Sequence, residues 1–244
     1  MKIDIVSLFP EVISPYLEES ILFRAQQNGQ TAINVHNLRD FTNNKHRKVD
    51  DTPFGGSPGM VIQVEPVSRA LEVLRTPSSK VILFSPKGSA LTMPLLHQLL
   101  LCDHLILLAG HYEGFDHRVE SYVDQLISIG DFVVTGGELP ALILTDALVR
   151  LVPNVLGNEI SFQEDSFYKG LLDWDSFTRP QNFDILGVPA VLTCGNHKEI
   201  LAWKKRNALI NTFRYRPDLL ATCSLSDGEK TLLSSYFLEE EINE

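Results

Sequence analysis

Cysteine is scarce: Cys102, Cys194 and Cys223 lie far apart, are odd in number and form no CxxC pair. A disulfide framework or a zinc site is therefore disfavoured, and a reducing, cytoplasmic setting is expected. Long apolar runs are missing too. The longest, around His104–Gly110, has a strand's length, well short of the ~18–20 residues that a bilayer span requires. The start, Met1-Lys2-Ile3-Asp4, carries an acid at position 4 and lacks a signal-peptide cleavage pattern. No G-x-G-x-x-G follows the first strand-like run, and G-x-x-x-x-G-K-S/T occurs nowhere. A dinucleotide dehydrogenase and a P-loop NTPase are disfavoured accordingly. No internal repeat is visible. Positive charge is in deficit, with 21 Lys+Arg against 31 Asp+Glu and a formal charge of −10. Such acidity argues against a nonspecific nucleic-acid coat protein, although net charge says little about one local patch.

What is present reads as an α/β protein. The 244 residues fit one large domain, or a medium domain with a small one. Over residues 1–152, short Ile/Val/Leu-rich runs alternate with helical spacing. Strands are expected at Lys2–Leu8, Thr31–Val35, Lys80–Phe84, Leu105–Ala109 and Gln125–Ile129. Helices are expected at Pro10–Gln27, Glu65–Arg75, Thr92–Leu101 (capped by Thr92), near His117–Tyr122, and at Glu138–Leu151. Continuous apolar strands between helices predict a mostly parallel sheet covered on both faces. From Pro153 the pattern breaks. The boundaries are drawn at 1–157 for the first domain, 158–170 for a linker and 171–244 for a small, mainly α-helical second domain. That second part carries a long helix, His197–Phe213, and a Ser226-Asp227-Gly228-Glu229 capping box opening Lys230–Glu241. The acidic end, with Glu239, Glu240, Glu241 and Glu244, reads as a solvated tail.

Ligands of parallel α/β sheets sit at the carboxyl ends of strands. Three loops in that position stand out: Ser85-Pro86-Lys87-Gly88, Gly110-His111-Tyr112-Glu113-Gly114, and Ile129 through Glu138 with Gly130, Gly136 and Gly137. One glycine-rich turn needs no ligand, but three on consecutive strands favour a shared pocket, because glycine lets a backbone approach closely. A fourth loop, Lys45–Met60, is long and polar, with a basic start and the turn Gly55-Gly56-Ser57-Pro58-Gly59. It is either a solvated connector or a binding loop. In the second domain, Lys198, Lys204, Lys205, Arg206, Arg214 and Arg216 face Glu199 alone. Such a run is most often a solvated helix face, yet in an acidic chain it also signals a polyanion such as RNA. Glu164-Asp165-Ser166 reads on spacing as a helix cap, and Arg150 as a charge closing a helix C-terminus.

Taken together, these motifs resemble the bacterial tRNA (guanine-N1)-methyltransferases of the SPOUT class, the TrmD family. The resemblance runs nearly end to end. It is carried by Ile5-Val6-Ser7-Leu8-Phe9-Pro10, the Val49–Met60 loop, Gly110–Gly114, Ser128–Pro140, Val155-Leu156-Gly157, Asp165-Ser166-Phe167, Thr178-Arg179-Pro180, and Gly195–His197 with Trp203. It implies a catalytic domain tied in a trefoil knot, an obligate homodimer with active sites built from both subunits, and S-adenosylmethionine as cofactor. On this chain the knot loops implied to hold the cofactor are Pro86, Gly110, Tyr112, Glu113, Ile129, Gly130, Asp131, Phe132, Val133, Val134, Gly136, Gly137 and Pro140. The implied substrate is the guanine at tRNA position 37, with tRNA contacts at Lys198, Lys204, Lys205 and Arg206. Asp165 is the implied general base for the N1 proton, and Arg150 the cation that steadies O6. Mg²⁺ is a further implied cofactor, although the sequence holds no recognisable metal cage. Ser57, Phe132 and His111 depart from the residues commonest in the family. Two other readings stay open, a knotted methyltransferase of a ribose 2′-hydroxyl and a noncatalytic RNA-binding module. The Asp165–Arg150 combination speaks against both.

Overall fold

The computed structural model describes residues 1–157 and 161–243, which divide into two compact units, Met1–Glu159 and Ile160–Glu244. The first three residues of the expected linker, 158–160, and the final Glu244 lie outside the described residues.

The first unit is built on a five-stranded parallel sheet. Its strands are β1 (Lys2–Ser7), β2 (Ala32–Asn37), β5 (Ser79–Ala90), β6 (His104–Leu108) and β7 (Gln125–Ser128), in the spatial order β2-β1-β6-β5-β7. The two strands richest in branched apolar residues, β1 and β6, take the central places and are almost wholly buried. Side chains alternate across a strand, and both sets find cover. Val6, Val81, Leu83, Ile106 and Leu108 pack with Val67, Ala70 and Leu71 of helix α3 (Val64–Leu74). The alternate set, Ile3, Ile5, Ile82, Leu105 and Leu107, is fully buried as well. Helix α5 (Glu138–Val149) contacts β1 and gathers α1 (Pro10–Leu17), α2 (Ser20–Gln27) and α4 (Met93–Leu100) around it.

Several local expectations change. The single helix over 10–27 is two helices. Pro15 removes one N–H from the first, and Ser20 takes a left-handed φ of 52°, so the run breaks after Leu17. Thr92 precedes α4 without a side-chain capping bond. His117–Tyr122 is a 3₁₀ turn rather than an α-helix, capped by Asp116, whose side chain accepts from the Arg118 N–H at 2.9 Å. The long polar loop gains order from two short antiparallel strands, β3 (Asp50–Asp51) and β4 (Val61–Ile62). Residues 85–88 are part of β5 itself, which continues to Ala90 with a register shift between Phe84 and Ser89. Gly88 makes that bulge possible, since a Cβ there would lie 2.5 Å from the Ile127 backbone N of β7.

A buried polar cluster sits within the sheet. Asp4, fully buried on β1, accepts from His104 at 2.7 Å, Asn34 at 2.8 Å and His36 at 3.1 Å, and pairs with Lys2 at 2.7 Å. Burial alone would raise its carboxyl, but these partners outweigh it and hold the pKa at about 2.

The second unit holds a short hairpin, β8 (Asn182–Phe183) and β9 (Leu186–Gly187), followed by α6 (Ala190–Thr193), α7 (His197–Tyr215), α8 (Pro217–Thr222) and α9 (Asp227–Asn243). The expected capping box forms reciprocally. The Ser226 N–H donates to Glu229 Oε2 at 2.7 Å, and the Glu229 N–H donates to Ser226 Oγ at 3.4 Å. The irregular stretch before the hairpin is held on α7 by side chains: Thr212 Oγ accepts from Leu172 N–H at 2.9 Å and Asn207 Oδ1 from Asp175 N–H at 2.6 Å. Among the described residues, no helix is long and apolar enough to cross a membrane.

Candidate functional site

The sheet order decides the site. β5, β6 and β7 follow one another in sequence, but in space β5 lies between the other two. Their carboxyl ends are therefore neighbours, and the three loops singled out in the sequence line one cavity of about 490 Å³. Twelve of the thirteen cofactor candidates stand on its wall: Pro86 from β5, Gly110, Tyr112 and Glu113 after β6, and Ile129, Gly130, Phe132, Val133, Val134, Gly136, Gly137 and Pro140 after β7. Asp131 does not line it; the backbone carries its neighbours past the cavity while its own side chain is exposed.

Glycine sets how closely these loops approach. The Gly137 N–H donates to Gly110 O at 2.5 Å, and a Cβ on Gly137 would fall 2.6 Å from Gly110 N and 2.8 Å from Ala109 Cα. A one-pair antiparallel bridge joins His111 to Gly136 beside it. The turn after β6 is also tied to the polar 45–60 loop. The Glu113 N–H donates to Met60 O at 3.0 Å, and the Ile62 N–H to Gly114 O at 2.9 Å. That loop presents Phe54 fully exposed.

The two candidate catalytic residues fall in different units. Arg150 closes α5, its backbone N–H donating to Asp146 O at 3.2 Å, and its side chain is exposed. Asp165 is half-buried in a tight turn after a 3₁₀ segment, Ser161–Gln163, and its carbonyl accepts from Tyr168 N–H at 3.3 Å. No helix starts there, so the capping expectation fails: Ser166 Oγ instead donates to Asp173 Oδ1 at 2.7 Å and accepts from the Asp173 N–H at 3.0 Å. The next residue, Phe167, takes a left-handed φ of 73°.

A family model described as tRNA (Guanine-1)-methyltransferase TrmD matches residues 1–222. A tRNA (guanine-N(1)-)-methyltransferase of Dictyoglomus turgidum is 46% identical over 244 residues, covering 100% of this chain and 99% of the relative. Proteins of the same name from Staphylococcus carnosus and Staphylococcus aureus are 48% identical over 238 residues, covering 97% of each chain. The chain belongs to the tRNA (guanine-1)-methyltransferase family.

Several polar residues in or behind this family member's cavity were not among the sequence's site candidates. Lys87 and Glu120 both line it and form an ion pair, with His117 Nδ1 3.3 Å from the same carboxylate. The bond from Lys87, with help from His117, holds the Glu120 carboxyl below the ordinary range. Glu138, the first residue of α5, is buried and accepts from Ser7 Oγ at 2.7 Å. In the sequence it is simply the first residue of the expected helix Glu138–Leu151. Only the sheet brings Ser7 to it.

The basic run on α7 also changes character. The ammonium of Lys204 sits 4.1 Å from the Trp174 ring centroid, and Lys205 pairs with Glu229 at 3.0 Å. Arg214 lies over Tyr236 and Arg216 pairs with Asp218 at 2.7 Å. Lys204, Lys205, Arg214 and Arg216 thus have intramolecular contacts, so the patch is less concentrated than its sequence density suggests. Trp203 packs near Phe177, with ring centroids 6.2 Å apart, whereas Tyr215 is exposed.

Proposed function

We propose that this chain transfers a methyl group from S-adenosylmethionine to N1 of the guanine at tRNA position 37. The observation that carries the reading is the convergence of three loops on one cavity at the carboxyl ends of β5, β6 and β7, in a member of the tRNA (guanine-1)-methyltransferase family. The cavity volume falls within the ~300–1,000 Å³ usual for small-molecule sites. Its glycine-lined walls allow close backbone approach, and the Glu113 carboxylate among its lining residues suits a ligand with a cationic centre. When bound, S-adenosylmethionine supplies an electrophilic methyl group on a positively charged sulfur. The residues assigned to hold it are Pro86, Gly110, Tyr112, Glu113, Ile129, Gly130, Phe132, Val133, Val134, Gly136, Gly137 and Pro140, with Asp131 in the same loop but off the cavity wall.

Guanine N1 carries a proton at neutral pH and becomes nucleophilic only as that proton leaves. Asp165 is assigned to accept it. An ordinary aspartate is a weak base; desolvation strengthens a carboxylate, and a cation near the developing negative charge lowers the barrier further. Arg150 is assigned that second task, donating to O6 as charge builds there. Holding N1 in line with the methyl group is the remaining contribution, and such positioning supplies up to ~7–11 kcal/mol of a barrier. Among the described residues no group of three or more His, Cys, Asp or Glu comes together to hold a metal ion, so no step is assigned to Mg²⁺.

The finer architecture belongs to the same proposal. The first unit is assigned a trefoil knot, a reading supported by the inverted spatial order of β5 and β6 and by the Gly137–Gly110 tie. A homodimer with active sites at its subunit interface is supported by large apolar side chains left exposed on two contacting helices, Val12 and Tyr16 on α1 and Leu139 and Ile143 on α5. Lys198, Lys204, Lys205 and Arg206 are assigned to tRNA, and residues 171–244 to a tRNA-binding domain. A cytoplasmic location follows from the substrate.

The test is incubation with labelled S-adenosylmethionine and a tRNA transcript carrying guanine at position 37, followed by mapping of the modified nucleoside. N1-methylguanine at that position is expected. Label on a ribose hydroxyl, or binding of tRNA without transfer, would overturn the proposal.

A further inference from the structure

Beneath the two glycine-bearing loops after β6 and β7 lies a carboxylate that the reaction itself does not use. Glu138 is 4% exposed. One oxygen, Oε1, accepts from Ser7 Oγ at 2.7 Å, and Ser7 Oγ in turn accepts from the Phe9 N–H at 2.9 Å. The other oxygen, Oε2, lies 3.4 Å from His111 Nδ1. Gly136 fits closely over the same pair: a Cβ there would fall 2.1 Å from Glu138 Oε2 and 2.5 Å from His111 Nδ1. The His111 ring is also packed edge-on against Phe9 and Tyr112, with centroids 4.6 and 5.0 Å away.

We infer that Glu138 is a positioning residue for the cofactor cavity, acting through His111. A buried carboxylate only accepts hydrogen bonds, so facing Nδ1 it selects the tautomer with its proton on that nitrogen. Nε2 is then the ring's remaining polar atom, in a side chain that lines the cavity. The same carboxylate spaces the 110–114 turn from Gly136, while Ser7 anchors it to the end of β1. Sequence gave no hint of this, because Ser7, His111 and Glu138 stand more than 100 and 25 residues apart. The inference rests on the reading of this cavity as the S-adenosylmethionine site.

The test is a double-mutant cycle on the full chain. S-adenosylmethionine affinity is measured by direct titration, and KM and kcat by methyl transfer, for wild type, Glu138→Ala, Glu138→Gln, His111→Ala and Glu138→Ala/His111→Ala. Expected are a loss of about tenfold in affinity and KM for Glu138→Ala with kcat at saturation within about threefold, a pattern that marks lost binding rather than lost chemistry. Glu138→Gln keeps the shape and an accepting oxygen for Nδ1–H, and recovers most of the loss. In the His111→Ala background the Glu138→Ala change costs less than about twofold, because the coupling partner is gone. Should Glu138→Ala fail to fold, Ser7→Ala, which removes only the hydroxyl anchor, carries the comparison with an expected loss of about threefold. Unchanged affinity in the folded variants, or equal losses with and without His111, overturns the inference while leaving the cofactor site intact. Failure of the wild type to bind S-adenosylmethionine overturns the cofactor reading, and the inference with it.

Discussion

Replacing Gly137 with alanine isolates loop-to-loop distance as a variable. Its φ of −77° suits any residue, so the substitution adds contact without backbone strain. The new Cβ would sit 2.6 Å from Gly110 N, whereas ordinary contact begins at 3.4 Å. Both partners are backbone and cannot swing aside, so the two loops must part by about 0.8 Å. The 2.5 Å bond from Gly137 N–H to Gly110 O weakens with that movement, at a cost of up to ~1 kcal/mol. Overpacking adds ~1–3 kcal/mol. A combined figure of about 2 kcal/mol, inside that range, corresponds to roughly thirtyfold in affinity if the bound state needs the loops closed. Calorimetric titration with S-adenosylmethionine, paired with thermal denaturation, measures both consequences. Gly157→Ala is the control, since nothing lies within 4 Å of its added Cβ. Titration curves for Gly137→Ala and Gly157→Ala that both match wild type within threefold would refute the steric argument.

Asp165→Ala is expected to bind S-adenosylmethionine normally and to lose ~10²–10⁴-fold in turnover, the usual worth of a general base; near-normal turnover removes it from the mechanism. Arg150→Ala should lower kcat more than cofactor affinity, and the opposite pattern in the same assays would make it a binding residue. For Asp4, the folded pKa of about 2 lies below the ordinary 3.8. Its contribution is therefore present above about pH 4 and lost as pH falls towards 2, about 2 kcal/mol in all. Urea unfolding from pH 2 to 7 should show that slope in wild type and not in Asp4→Asn; parallel curves would exclude the linkage. Charge reversal at Lys204 should weaken tRNA binding and flatten its salt dependence by roughly one to two charges' worth. An unchanged slope would confine Lys204 to its contact with Trp174.

Much of this protein is decided locally. The apolar runs that became β1, β6 and β7, the helix stop at Asn28, and the Ser226–Glu229 box follow from hydrophobic burial and from backbone groups that must be satisfied within a few residues. Glycine spacing after three strands marked the loops that line the cavity, because close backbone approach excludes side chains wherever it occurs. Tertiary structure decided what those loops meet. Strand order placed β5 between β6 and β7, and so turned three separate turns into one wall. It also brought Ser7 and His111 to Glu138, and Asn34, His36 and His104 to Asp4. Glu229 likewise drew Lys205 away from a run that looked like one free basic face. Hydrogen bonds and ion pairs between residues far apart in sequence leave no periodic trace along a chain. Their partners are chosen only when the hydrophobic faces have packed.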